Sequence, residues 1–173
     1  MKSMVNRSKV AVALSVVASL LIVPGLLLAH HNHQALANYN YLLGVTGVVT
    51  EHEFVNPHAI IHVVATDEHG NRQEWLGYGG TPGMEARLGY SAHMFKLGEE
   101  KITMYGFPNK DGRNIMIYTK LVRANGEDLQ IYQTLKNDMD AFLALHNANT
   151  FKDLPESTKR YIGGQPFQAT DDK

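Results

Sequence analysis

The hydrophobic pattern divides the chain into three unlike parts. Residues 10–29, VAVALSVVASLLIVPGLLLA, are almost unbroken apolar sequence behind the basic start MKSMVNRSK. Residues 41–123 alternate instead, in short β-branched runs separated by turn residues. YLLGVTGVVTEHEF (41–54), AIIHVVAT (59–66), RQEWLGYGG (72–80), EKITMYGF (100–107) and IMIYTKLVR (115–123) each read as a strand. The intervening NPH (56–58), DEHGN (67–71), KLGE (96–99), PNKDGRN (108–114) and ANGED (124–128) carry the Asn, Pro, Asp and Gly of turns. TPGMEARLGYS (81–91) predicts a short helix, with Thr81 as N-cap and Pro82 at the first helical position. Beyond 129 the spacing becomes helical, with apolar residues at 131, 135, 139, 142, 143 and 145, and predicts a helix over about 132–147. The sequence after that helix reads as loop with a loose acidic end.

The predicted order is β-β-β-α-β-β. Five strands with a helix between the third and fourth is the element order of an OB-like barrel, the alternative being an open five-stranded sandwich. The fold class is therefore mainly β, with an N-terminal signal or anchor segment and a C-terminal helix. The expected organisation is 1–29 as signal peptide or uncleaved membrane anchor, 30–128 as barrel domain, and 129–173 as helix and tail.

The first segment has the layout of a secretory signal: basic start, apolar middle, the Pro24-Gly25 breaker, then the small residue Ala29. Leu27 would stand at position −3 of a cut after Ala29, and a second small-residue site lies at Ala35-Leu36-Ala37. Left uncut, residues 10–29 match the roughly 20 apolar residues that span a bilayer, and the basic flank still places the rest outside the cytoplasm. Either way the expected location is the periplasm, with the domain free or membrane-anchored.

Charge and cysteine content narrow the chemistry. The whole chain carries a net −1, but Lys2, Arg7 and Lys9 all sit in the leader. The remainder has 13 basic against 17 acidic residues, a mildly acidic body that argues against a nucleic-acid partner. With no cysteine there is no disulfide framework, thiolate metal site, thiol nucleophile or lipidated cysteine. No Gly-x-Ser-x-Gly, His-Glu-x-x-His or phosphate-loop pattern occurs, and the spacing of Glu51, Glu53, Glu74 and Asp67 marks no acid–base pair. An enzyme is thus the least supported class.

AHH at 29–31, GVTGVVTEHEFVNPHAIIHV, EW, GGTP, LGY with KLGE, and MYGFPNKDGRNIMI with ANGED fall in one order along residues 29–128. This pattern resembles a family of small exported bacterial proteins of unknown function. Members begin their mature chain with His-His-Ser-Phe and carry a Thr-Asn-Pro-His turn. Here His30-His31 and Asn56-Pro57-His58 match, while Asn32-His33 replaces Ser-Phe, Val55 stands where Thr is usual and Ile60 where Trp is common. The resemblance implies export and a small β domain; it implies no activity.

Nine histidines are the chain's distinctive resource. Histidine is the commonest metal ligand, and imidazole suits Cu, Zn and Ni. If the mature chain begins at His30, its α-amine and imidazole chelate together, and an amine with imidazoles in a plane suits Cu(II). His30, His31 and His58 are the candidate ligands, with His33, His52 and His62 as weaker ones. His58 and His62 would lie about 13 Å apart in a regular strand and cannot share an ion without a break between them. A His52–His62 pair across the first hairpin is expected to be either a polar cross-strand pair or part of a metal site. His69 reads as an exposed turn residue, Met94 beside His93 as core, and His146 as a helix C-terminal residue.

Two functions follow from these readings. One is a non-catalytic periplasmic binding protein that takes copper through its N-terminal histidines. The other is a metal-free, membrane-anchored accessory subunit of an envelope complex, offering residues 129–173 to a protein partner.

Overall fold

The computed structural model of the protein describes residues 36–164. Among the described residues, the elements follow in the order β1 (Leu42–Phe54), β2 (Ala59–Thr66), β3 (Arg72–Tyr78), α1 (Pro82–Ala86), β4 (Lys101–Pro108), β5 (Ile115–Arg123), β6 (Asp128–Leu129), α2 (Gln133–Leu145) and β7 (Lys159–Ile162). Residues 1–29, expected to be a signal or anchor, and His30, His31 and His33 lie outside the described residues.

The first five strands close on themselves in the order β2-β3-β5-β4-β1, with β1 pairing back onto β2. The β3–β5 contact is parallel and the other four are antiparallel. The fold is thus the closed five-stranded barrel expected for an OB-like chain, not an open sandwich. Closure depends on β1, which is 13 residues long and serves two neighbours. Its first half pairs with β4 from Leu43 to Val48, and its second half with β2 from Val48 to Phe54. Where the two halves meet, a side chain at Gly47 would put its Cβ 2.3 Å from the Val64 carbonyl oxygen. Only glycine lets the two strands pass that closely.

Inside the barrel, Val45, Val49, Ile61, Val63, Ile102, Met104 and Leu121 are fully buried. A second apolar cluster covers the outside, where Leu42, Tyr105, Phe107 and Val122 meet Met139 and Phe142 of α2 and Leu154 beyond it. Strands covered on both faces read as continuous apolar sequence rather than as alternation. That accounts for the runs of buried residues at the start of β1 and through β4. The amphipathic stripe of α2 faces this second cluster, with Phe142 set edge-on to Phe107 at 5.3 Å between ring centres.

Two expectations are corrected. The helix predicted over 81–91 ends at Ala86, because the following turn folds back onto it and Gly89 takes a positive φ of 91°. The stretch predicted as loop after α2 contains β7, which runs parallel to β1 from Leu42 to Val45. KRYI is too short and too charged to show alternation. Its place is set by Lys159, whose amine is buried, meets Glu156 at 2.5 Å and sits over the Phe151 ring. The expected loose end beyond residue 164 lies outside the described residues.

If α2 is anchored by this cluster, Phe142→Ala lowers the unfolding free energy by roughly 3–5 kcal/mol, the usual cost of emptying a buried phenylalanine site. Urea denaturation measures it, and a loss below about 1 kcal/mol would show that the helix is not held there.

Candidate functional site

His52, His58 and His62 fall into three environments, and a β-bulge decides two of them. In β1 the pairing runs Val48↔Val64 and Val49↔Val63, then jumps to Glu51↔His62. The extra residue, Thr50, reverses the inside–outside alternation. Before it the odd positions Leu43, Val45 and Val49 point inward; after it His52 does. His52 is buried between the rings of Phe54 and Phe95, 5.3 and 5.2 Å away centre to centre. Burial lowers its pKa, the backbone at Ser91 opposing in part, and this favours the neutral ring.

His62 is on the opposite, outer face. Its Nε2 meets Glu53 Oε1 of β1 at 2.6 Å and its Nδ1 meets Glu74 Oε1 of β3 at 3.2 Å. His52 and His62 therefore form neither a polar cross-strand pair nor a shared metal site. The strands instead assemble Glu53, His62 and Glu74 side by side. Desolvation works to lower the His62 pKa, but the hydrogen bonds to Glu53 and Glu74 and the charges of Glu51 and Glu53 outweigh it, and the net shift is upward. An imidazolium donating from both nitrogens to two carboxylates fits this geometry. The two carboxylates lie on opposite sides of the ring, so the trio does not converge on one ion.

His58 occupies the turn between β1 and β2, behind the cis Asn56–Pro57 bond. The turn is tied to the end of β3: the Ala59 N–H donates to the Gly80 carbonyl at 2.8 Å, and the Gly79 N–H to the Ala59 carbonyl at 2.9 Å. His58 Nδ1 lies 3.3 Å from the Gly79 carbonyl oxygen. A carbonyl only accepts, so Nδ1 carries the proton and the lone pair of the neutral ring is on Nε2. Tyr78 flanks the ring at 6.5 Å between centres. Of the remaining histidines, His69 and His93 are exposed, and His146 caps the C-terminus of α2 against Phe142. Among the described residues no group of three His, Asp or Glu side chains is arranged to hold a metal ion.

Residues 19–117 match the model of the DUF6152 family, described as a family of unknown function. The chain belongs to the DUF6152 family. The match covers more than half of the chain and includes every histidine except His146, as well as the Asn56-Pro57-His58 turn. In this DUF6152 protein the match stops inside β5, so the barrel's outer layer of β6, α2 and β7 lies beyond the matched span. The searches among curated proteins and among solved structures found no match.

Sequence spacing alone did not find the Glu53–His62–Glu74 trio, yet a signal for it existed. Counting across the two hairpins pairs Glu51 with His62 and Leu76 with His62, which makes Glu53 and Glu74 its diagonal neighbours. Because the His62 pKa is raised on folding, the trio stabilises the fold fully below the ordinary histidine value of about 6.5 and loses that contribution as pH rises through the folded value. The stability difference between wild type and His62→Gln, followed by urea denaturation from pH 5.5 to 9, is expected to shrink as pH rises. A difference that grows with pH would show the ring to be neutral in the folded chain.

Proposed function

We propose that this DUF6152 protein is an exported, non-catalytic binding protein of the bacterial envelope that takes a copper ion through histidine, with His30, His31 and His58 as ligands. The observation that carries this reading is the His58 contact with the Gly79 carbonyl. Metal-ligating histidines characteristically donate one ring N–H to a carbonyl or carboxylate, which fixes the ring and directs the other nitrogen's lone pair to the ion. His58 meets that requirement on a turn held by two backbone hydrogen bonds.

Processing after Ala29 is supported by two features. The basic, apolar, Pro-Gly, small-residue order leads to it. Cutting instead after Ala37 would separate a buried residue, 2% exposed and bridged to Asn109, from the domain it packs in. A mature chain beginning His-His-Asn-His offers an α-amine and adjacent imidazoles. In a chain without cysteine, this set favours Cu(II) over softer thiolate chemistry.

Intact mass of the protein isolated from the envelope is expected to correspond to a chain starting at His30; an unprocessed Met1 would favour the membrane-anchored subunit. Calorimetric titration of the processed chain with Cu(II) is expected to give one ion per chain. Affinity should fall at least tenfold in His58→Ala, since losing even a ligand's outer hydrogen-bond partner typically costs ~10–100-fold, and stay unchanged in the exposed control His93→Ala. Absence of binding, or an unaffected His58→Ala, overturns the reading.

A further inference from the structure

The one buried residue of α1 is a carboxylic acid. Glu85 is 2% exposed, and its Oε1 accepts two hydrogen bonds, from the Tyr118 hydroxyl at 2.5 Å and from the Gly80 N–H at 2.8 Å. Its Oε2 is equally buried and has no hydrogen-bond partner among the described residues; the same holds for the Tyr90 hydroxyl. Among the described residues no cation pairs with this carboxyl. Tyr118 comes from β5 and Tyr90 from the turn after α1, and burial pushes both phenols up, so both are neutral. Arg123, at the end of β5, acts on Tyr90 but is engaged by Glu100 and by Glu127.

Burying the un-ionised acid here costs less than burying the carboxylate, because the unpartnered Oε2 then carries no charge. A buried anion with one oxygen undonated carries a large desolvation cost. In the neutral acid, Oε1 takes both donors as a carbonyl oxygen would, and Oε2 carries the proton. The packing leaves no slack for an alternative arrangement. A Cβ at Gly79 would lie 2.0 Å from the Tyr118 hydroxyl oxygen and 2.2 Å from Glu85 Oε1.

We propose that the un-ionised carboxyl of Glu85 is a latch holding α1 against the barrel through Tyr118 and the Gly80 amide, and that loss of its proton releases the segment from Gly80 to Tyr90. Burial is the larger influence on this carboxyl and raises its pKa, the two hydrogen bonds opposing. The folded chain therefore keeps a proton that the opened segment would lose. The latch is strongest below the ordinary glutamate value of about 4.3 and weakens as pH rises through the folded value. It stands apart from the copper reading, since none of its groups is a proposed ligand.

Amide hydrogen exchange of the full processed chain tests it without metal. After correction for the intrinsic exchange rate, protection over Gly80–Tyr90 in wild type is expected to fall by up to about tenfold per pH unit between those two midpoints. E85Q, which copies the shape of the neutral acid, should keep its protection, and the β4 amides should be unaffected in both chains. The same pH dependence in wild type and E85Q overturns the latch. Carbon-13 titration of the Glu85 carboxyl in wild type provides a second measurement that does not require the variant to fold. A midpoint above those of the exposed glutamates supports the latch, and one at or below them overturns it.

Discussion

The domain depends on one strand satisfying two partners at once. β1 has to hydrogen-bond to β4 along its first half and to β2 along its second, and closing the barrel requires it to bend between them. The bend combines a glycine that permits close approach at Gly47 with a bulge at Thr50 that changes the register by one. Closing the five-stranded ring removes its free edges, which in an open sheet would invite pairing with other chains. The same bend turns the first half of β1 toward the outer layer, where β7 adds in parallel and α2 packs over Leu42 and Phe107.

The bulge also sorts the chemistry. One extra residue sends His52 into an aromatic pocket and leaves His62 outside between two carboxylates. The two rings therefore experience opposite effects: burial favours the neutral form of His52, and carboxylate contacts favour the charged form of His62. His58 is different again: it sits on the turn, half-buried, with its Nδ1 on a backbone carbonyl. Three histidines within eleven positions, 52 to 62, thus take three roles through placement alone.

Several buried polar side chains among the described residues meet one another rather than forming ion pairs. Thr46 and Thr103 meet across β1 and β4 at 2.8 Å, and Glu85 meets Tyr118 beneath α1. Charged pairs such as Lys120–Asp128 lie in more open positions, where water screens them and each contributes little. Apolar packing inside and outside the strands supplies most of the stability, and the polar contacts specify register and the seating of α1.

Local chemistry determined the element list. β-branched alternation, Asn-Pro and Asp-Gly turns, the Thr81-Pro82 helix start and the helical spacing near 139 and 142 each act within a few residues. For that reason the five barrel strands and both helices were legible, and their order pointed to the closed barrel. The β7 strand was not legible, because four residues with two charges become a strand only beside a waiting edge of β1. The Glu53–His62–Glu74 trio could be reached only by counting register across two hairpins, and the Glu85–Tyr118 pair, 33 positions apart, was not legible because it forms only when α1 seats on the barrel. The bulge at Thr50 carries no residue type that marks it. Sequence alone therefore decided the five barrel strands and the two helices, and tertiary structure decided the added strand β7, which way each side chain faces and what it meets. The face of a strand residue depends on register, and register is fixed only when the whole barrel closes.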